Sequence, residues 1–142
     1  MPPTPIAYLT RTVEFTATHR LFKPEWSAER NAEAFGATAQ PHAHVYRCAV
    51  TLAGAVDPAT SMAADLAALD RVLAQEVVAR FDGRDINRDV PEYAPGRTLP
   101  TGEALCLDIW QRVAARLPAG SRLVSVRVQE DASLSAEYRG EG

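Results

Sequence analysis

A run of strict two-residue alternation constrains this chain more than any other feature. Val13, Phe15, Ala17 and His19 share one face, and Glu14, Thr16 and Thr18 share the other. That is the pattern of a strand with one side buried. The strand is expected over Tyr8 to Phe22. A second strand, rich in β-branched residues, is expected from Ala43 to Val56; Asp57-Pro58 ends it and Gly54 marks a bulge. Arg122 to Gln129 reads as a third, with Val124, Val126 and Val128 on one face, and Leu134 to Arg139 as a fourth.

Helical spacing fills the middle of the chain. Leu66, Leu69, Leu73 and Val77 follow Asp65, a suitable N-cap, and predict a helix to Phe81. Thr101 caps a second helix to about Leu117, with Leu105, Ile109, Val113 and Leu117 as its apolar stripe and Glu103 suited to its first turn. Residues 24–36 predict a short helix or ordered loop begun near Ser27 and closed by Gly36. Residues 82–100, charged and then proline-rich, predict an irregular loop. The order ββααββ implies an α+β fold: one antiparallel four-stranded sheet with two helices on one face. At 142 residues the chain suits a single domain, 1–142, with a core over about residues 8–140. Free sheet edges invite assembly between copies.

Composition removes several function classes. A net charge of −3 and a pI near 5.6 argue against a nucleic-acid-binding surface. No apolar run approaches a membrane span, and Met1 to Ile6 lack a signal-peptide pattern, so a cytoplasmic protein with no membrane partner is expected. The two cysteines, Cys48 and Cys106, do not make a disulfide framework and read as small buried hydrophobes.

The chain has three histidines, His19, His42 and His44. On a strand His42 and His44 point the same way, and His19 ends an alternating strand of its own. If the two strands pair, three imidazoles meet with a fourth position open, as a catalytic zinc site requires. A chance pair on a solvated strand is the alternative. Glu130 continues the parity of Val124, Val126 and Val128, which puts a carboxylate at a strand end on the helix-covered side. Such a group is costly unless paired. Its partner is either Arg127 or Arg139 at the sheet rim, or a ligand with a planar amidine-like edge such as a pterin.

These residues together resemble the 6-pyruvoyl-tetrahydropterin synthase family, which includes the 6-carboxytetrahydropterin synthases. Phe15-Thr16-Ala17-Thr18-His19-Arg20-Leu21 is similar to the family's F-S-A-S-H-R-L, and His42-Ala43-His44 to its H-G-H. Ser27, Glu29, Asn31, Phe35 and Gly36 match S-x-E-x-N-x-x-x-F-G, and Gly54, Asp57, Pro58, Thr60, Met62, Asp65, Leu66 and Leu69 match the approach to the first long helix. Thr101, Glu103 and Trp110 match the second helix, and Val128-Gln129-Glu130 the strand that ends in the pterin-anchoring glutamate. The resemblance implies a tunnelling fold whose subunits form trimers stacked into hexamers, with sites between subunits. It implies zinc on His19, His42 and His44, a pterin on Glu130 near Thr101 and Glu103, and 7,8-dihydroneopterin triphosphate as the family's substrate.

The pattern breaks at the proton-transfer groups. The family's catalytic cysteine falls at Thr38, and its Asp–His pair at Asp82-Gly83, so the aspartate stays and the histidine is gone. A threonine hydroxyl does not become an anion near neutral pH without a strong base beside it. Three readings follow: a diverged zinc lyase or aldolase-like enzyme in which Asp82, Asp85, Glu33 or metal-bound hydroxide moves protons; a zinc- and pterin-binding protein without turnover; or an oligomeric scaffold. They are preferred in that order. The cluster Arg80, Asp82, Arg84, Asp85, Arg88 and Asp89 reads as a solvated loop rather than a triphosphate site.

Overall fold

The computed structural model describes residues 4–142; the first three residues of the proline-rich start lie outside the described residues. In chain order the elements are β1 (Ile6–His19), α1 (Ala28–Phe35), β2 (His42–Ala55), α2 (Leu66–Leu73), α3 (Ala79–Phe81), β3 (Arg84–Asp85), α4 (Ile86–Asp89), α5 (Gly102–Ala114), β4 (Ser121–Gln129) and β5 (Ser135–Tyr138). A π-helical turn, Ala74–Val78, joins α2 to α3, so the helix expected up to Phe81 is continuous with one widened turn. Its N-cap is Asp65, whose carboxylate accepts from the Ala68 N–H at 3.0 Å.

The α+β architecture is as expected, but the sheet has five strands, not four, in the order β3-β1-β2-β4-β5. The fifth arises inside the supposed irregular loop. Gly83 adopts φ 71° and donates its N–H to the Thr16 carbonyl at 2.7 Å, which lays Arg84 and Asp85 parallel to Ala17 and Thr18 of β1. Asp85 then caps α4 by accepting from the Arg88 N–H, and Asp89 accepts from the Asp85 N–H. Local capping chemistry orders a segment that its charge and proline content made look loose.

β1 and β2 form a long antiparallel pair running from Ile6↔Ala55 to His19↔His42. β1 stops at His19, short of Phe22, because the next donors leave the ladder. The Arg20 N–H goes to the Asn87 side-chain oxygen at 2.9 Å and the Leu21 N–H to the Thr38 carbonyl at 2.8 Å.

The valine parity in β4 needs correcting. Thr51 faces Ser125 while Leu52 faces Leu123, so Val124 is an extra, bulged residue, and Leu123, Val126 and Val128 point inward. Gly54 marks no bulge; a Cβ there would lie 2.0 Å from the Ala63 carbonyl oxygen, a close backbone approach that only glycine permits.

The core lies between sheet and helices. Phe15, Tyr46, Cys48, Val50 and Val126 pack against Leu69, Leu73, Val77, Leu105, Ile109 and Val113. Both thiols are buried, and burial pushes Cys48 up to about 12 and Cys106 up to about 11.

An ionic cluster ties the helices together. Asp108 of α5 accepts from Arg80 at 2.8 Å, from the Tyr93 hydroxyl at 2.7 Å and from Arg112 at 3.0 Å. Buried Glu76, in the π turn, bridges Arg112 at 3.3 Å and Arg116 at 2.9 Å. The charged segment over residues 80–89 is therefore only partly solvated: Arg80 belongs to this cluster, and Asp82, Asp85 and Asp89 hold backbone N–H groups.

Candidate active site

The β1–β2 register decides where the imidazoles meet. His19 sits directly opposite His42, and His44 lies two residues further along β2 on the same face. Ring centroids are 4.5 Å apart for His19 and His42, 4.8 Å for His42 and His44, and 5.3 Å for His19 and His44. One nitrogen from each falls within 4.8 Å of the others.

Backbone carbonyls set the tautomers. The Nδ1 of His19 lies 2.8 Å from the Pro100 carbonyl, and that of His42 lies 2.8 Å from the Gln40 carbonyl. A carbonyl only accepts, so each Nδ1 donates and, in the neutral ring, leaves Nε2 with a free lone pair. The Nε2 atoms of His19 and His44 are buried with no hydrogen-bond partner. Burial pulls His19 down to about 4 and His44 below the usual imidazole range, so both rings stand neutral. Three converging imidazole nitrogens, two of them buried without a partner, fit a divalent cation.

The same cavity, of about 410 Å³, is lined by all three histidines together with Leu21, Thr38, Thr101, Gly102, Glu103, Glu130 and Asp131. Thr101 caps α5, its hydroxyl accepting from the Ala104 N–H at 3.1 Å, and Glu103 stands exposed in that helix's first turn. Glu130 directly follows β4, close to this helix start, and is 9% exposed. Neither candidate rim partner reaches it: Arg127 donates to Ser135 and Arg139 to Glu137. Among the described residues its carboxylate has no hydrogen bond or ion pair. Burial pushes its acid range up, opposed by His42 and reinforced more weakly by Glu103 and Asp131. Asp131 does not compete for ligand, because it accepts from Ser133 and from the Leu134 N–H, which hold it below the usual carboxylate range.

Thr38 reaches the cavity through local structure. Ser27 caps α1, and buried Asn31 locks the preceding turn by accepting from the Lys23 N–H at 2.7 Å and donating to the Lys23 and Ser27 carbonyls. Gly36 closes the helix at φ 60°. The Thr38 hydroxyl donates to the Phe35 carbonyl and so caps its own turn. Asp82 does not line the cavity of its own chain; it accepts from the Thr16 N–H at 2.9 Å. Asp85 is engaged at α4, and Glu33 is exposed on α1.

The residues that sequence reasoning missed mostly act through backbone. The Pro100 and Gln40 carbonyls orient the histidines, and a carbonyl leaves no mark in a sequence. Asn87 left a faint one: its side chain pins both the N–H and the carbonyl of Arg20, the residue next to His19.

Known proteins resemble this chain in sequence and in fold. The family model described as 6-pyruvoyl tetrahydropterin synthase matches residues 8–141. A 6-pyruvoyl tetrahydrobiopterin synthase of Poecilia reticulata is 34% identical, over 99% of this chain and 95% of its own length. The human protein of that name is also 34% identical, over 95% of this chain and 92% of its own. The solved structure of Caenorhabditis elegans 6-pyruvoyl tetrahydropterin synthase superposes with a TM-score of 0.87 at 29% identity, covering 99% of this chain and all of that one.

Proposed function

Because the chain belongs to the 6-pyruvoyl tetrahydropterin synthase family, we propose that it is a zinc-dependent pterin-processing lyase acting on 7,8-dihydroneopterin triphosphate or a related pterin by elimination or aldol-type cleavage. One observation carries the reading. Two orphaned imidazole nitrogens, costly to keep without a ligand, face the same cavity as a carboxylate that has no partner among the described residues and whose charged form burial disfavours.

Division of labour follows from the donor types. His19, His42 and His44 hold the cation, with His19 and His42 oriented by the Pro100 and Gln40 carbonyls. When bound, the ion supplies Lewis acidity to an oxygen of the ligand's side chain. Glu130 takes the flat 2-amino and N3–H edge through two parallel N–H···O bonds. Thr101 and Gly102 set the start of α5 over that edge, and Glu103 stands at its rim.

Proton transfer is reorganised in this chain. Thr38 lines the cavity but its hydroxyl is already donated to Phe35. Asp82, the retained half of the family's pair, would serve a cavity only across an interface between copies. Among the described residues the outer edge of β1 is unpaired from Ile6 to Phe15 and carries exposed Ile6 and Tyr8, which supports a homo-oligomer of the family's trimer-stacked-to-hexamer kind. Among the described residues no helix is long and apolar enough to cross a membrane.

The test is direct. Zinc-loaded protein incubated with 7,8-dihydroneopterin triphosphate, and separately with its dephosphorylated form, should yield a new pterin by chromatography. Tight pterin binding with no product from either would instead favour the non-catalytic binder, the reading that the engaged Thr38 hydroxyl and the bare Gly83 support.

A further inference from the structure

Tyr46 is the third buried polar group without a partner in this region, beside His19 Nε2 and His44 Nε2. Its ring is fully buried, stacked on Phe15 at 4.8 Å and edge-on to His44 at 5.4 Å and His19 at 5.9 Å. The β2–β4 register pairs Arg47 with Gln129, so one further step brings Tyr46 abreast of Glu130 on the same inward face. Among the described residues, a phenol with no acceptor thus occupies the strand position across from a carboxylate with no donor. Packing alone does not explain the hydroxyl, because phenylalanine would fill the same volume and stack on Phe15 equally well. An unsatisfied buried donor is a net loss to the fold.

We propose that Tyr46 is a positioning residue for Glu130: once a ligand edge is seated on the carboxylate, the Tyr46 hydroxyl donates to one of its oxygens and fixes its plane. The proposal rests on the pterin reading above and adds a residue to it. Each carboxylate oxygen has two lone pairs, so the Tyr46 bond leaves both oxygens able to accept from the ligand. A donor from the protein side also favours the charged carboxylate, the form that grips an amidine-like edge.

The experiment uses the intact zinc-loaded protein and neopterin as probe, read by quenching of pterin fluorescence. The variants are Tyr46→Phe, Glu130→Gln and the double substitution, with thermal melts and zinc content measured on each. Tyr46→Phe should weaken neopterin binding about tenfold. Its melting temperature should hold or rise, because the variant removes an orphaned hydroxyl. In the Glu130→Gln background the same change should have little further effect on binding. A purely structural tyrosine gives the opposite pattern: a lower melting temperature with unchanged affinity. Unaltered binding by a zinc-loaded Tyr46→Phe protein overturns the proposal, as do equal losses in both backgrounds. If the unsubstituted protein fails to bind neopterin, the pterin reading falls and this inference falls with it.

Discussion

Acid should destabilise the metal-free protein through His19, and the size of the effect follows from its burial. His19 is 2% exposed, and burial lowers it from 6.5 to about 4, against a smaller raising by the Pro100 carbonyl bond. Between those values the unfolded chain binds a proton that the folded chain refuses, so stability rises with pH across the window. The contribution is complete above about pH 6.5 and is lost as pH falls through about 4. That gap corresponds to about 3 kcal/mol, a large share of a small domain's stability. The measurement is urea unfolding of the chelated protein at several pH values, beside a His19→Gln variant. Comparing the two proteins cancels the other titrating groups, including His44. The stability of the unsubstituted protein relative to the variant should fall by about 3 kcal/mol between roughly pH 7.5 and pH 4. Parallel profiles for the two proteins would refute the reasoning, because His19 would then be titrating equally in both states.

Other expectations follow from single contacts. Glu130→Gln should retain zinc by elemental analysis yet lose pterin affinity by tenfold or more, roughly the loss of one charged acceptor. Asp108→Ala strands Arg80 and the Tyr93 hydroxyl, so urea denaturation should show a loss of about 3 kcal/mol. Gly54→Ala drives a Cβ to within 2.0 Å of a backbone oxygen, and a melt should show destabilisation of about 2 kcal/mol or more. Thr38→Cys with Gly83→His should raise triphosphate release in a chromatographic assay. The Gly83 backbone at φ 71° makes the histidine cost about 1 kcal/mol of stability, and no gain in a folded, zinc-loaded double variant would count against the missing-group account.

Periodicity alone carried the sequence a long way. Alternation through Val13, Phe15, Ala17 and His19 predicts the inward face of β1, and the Leu69, Leu73 and Val77 stripe predicts the core face of the long helical run. Both hold because side-chain direction in regular structure is fixed by local backbone geometry. For the same reason His42 and His44 were legible as one face, and Glu130 as an inward carboxylate. Tertiary structure decided what spacing cannot encode. Only the pairing of β1 with β2 brings His19 opposite His42, across residues distant in the chain. A bulge at Val124 shifts parity midway along β4. Carbonyl oxygens of Pro100 and Gln40 choose the tautomers, and the Asn87 amide ends β1 at His19. Each of these is a contact between distant segments or a main-chain group, and a main-chain group is the same whatever residue carries it.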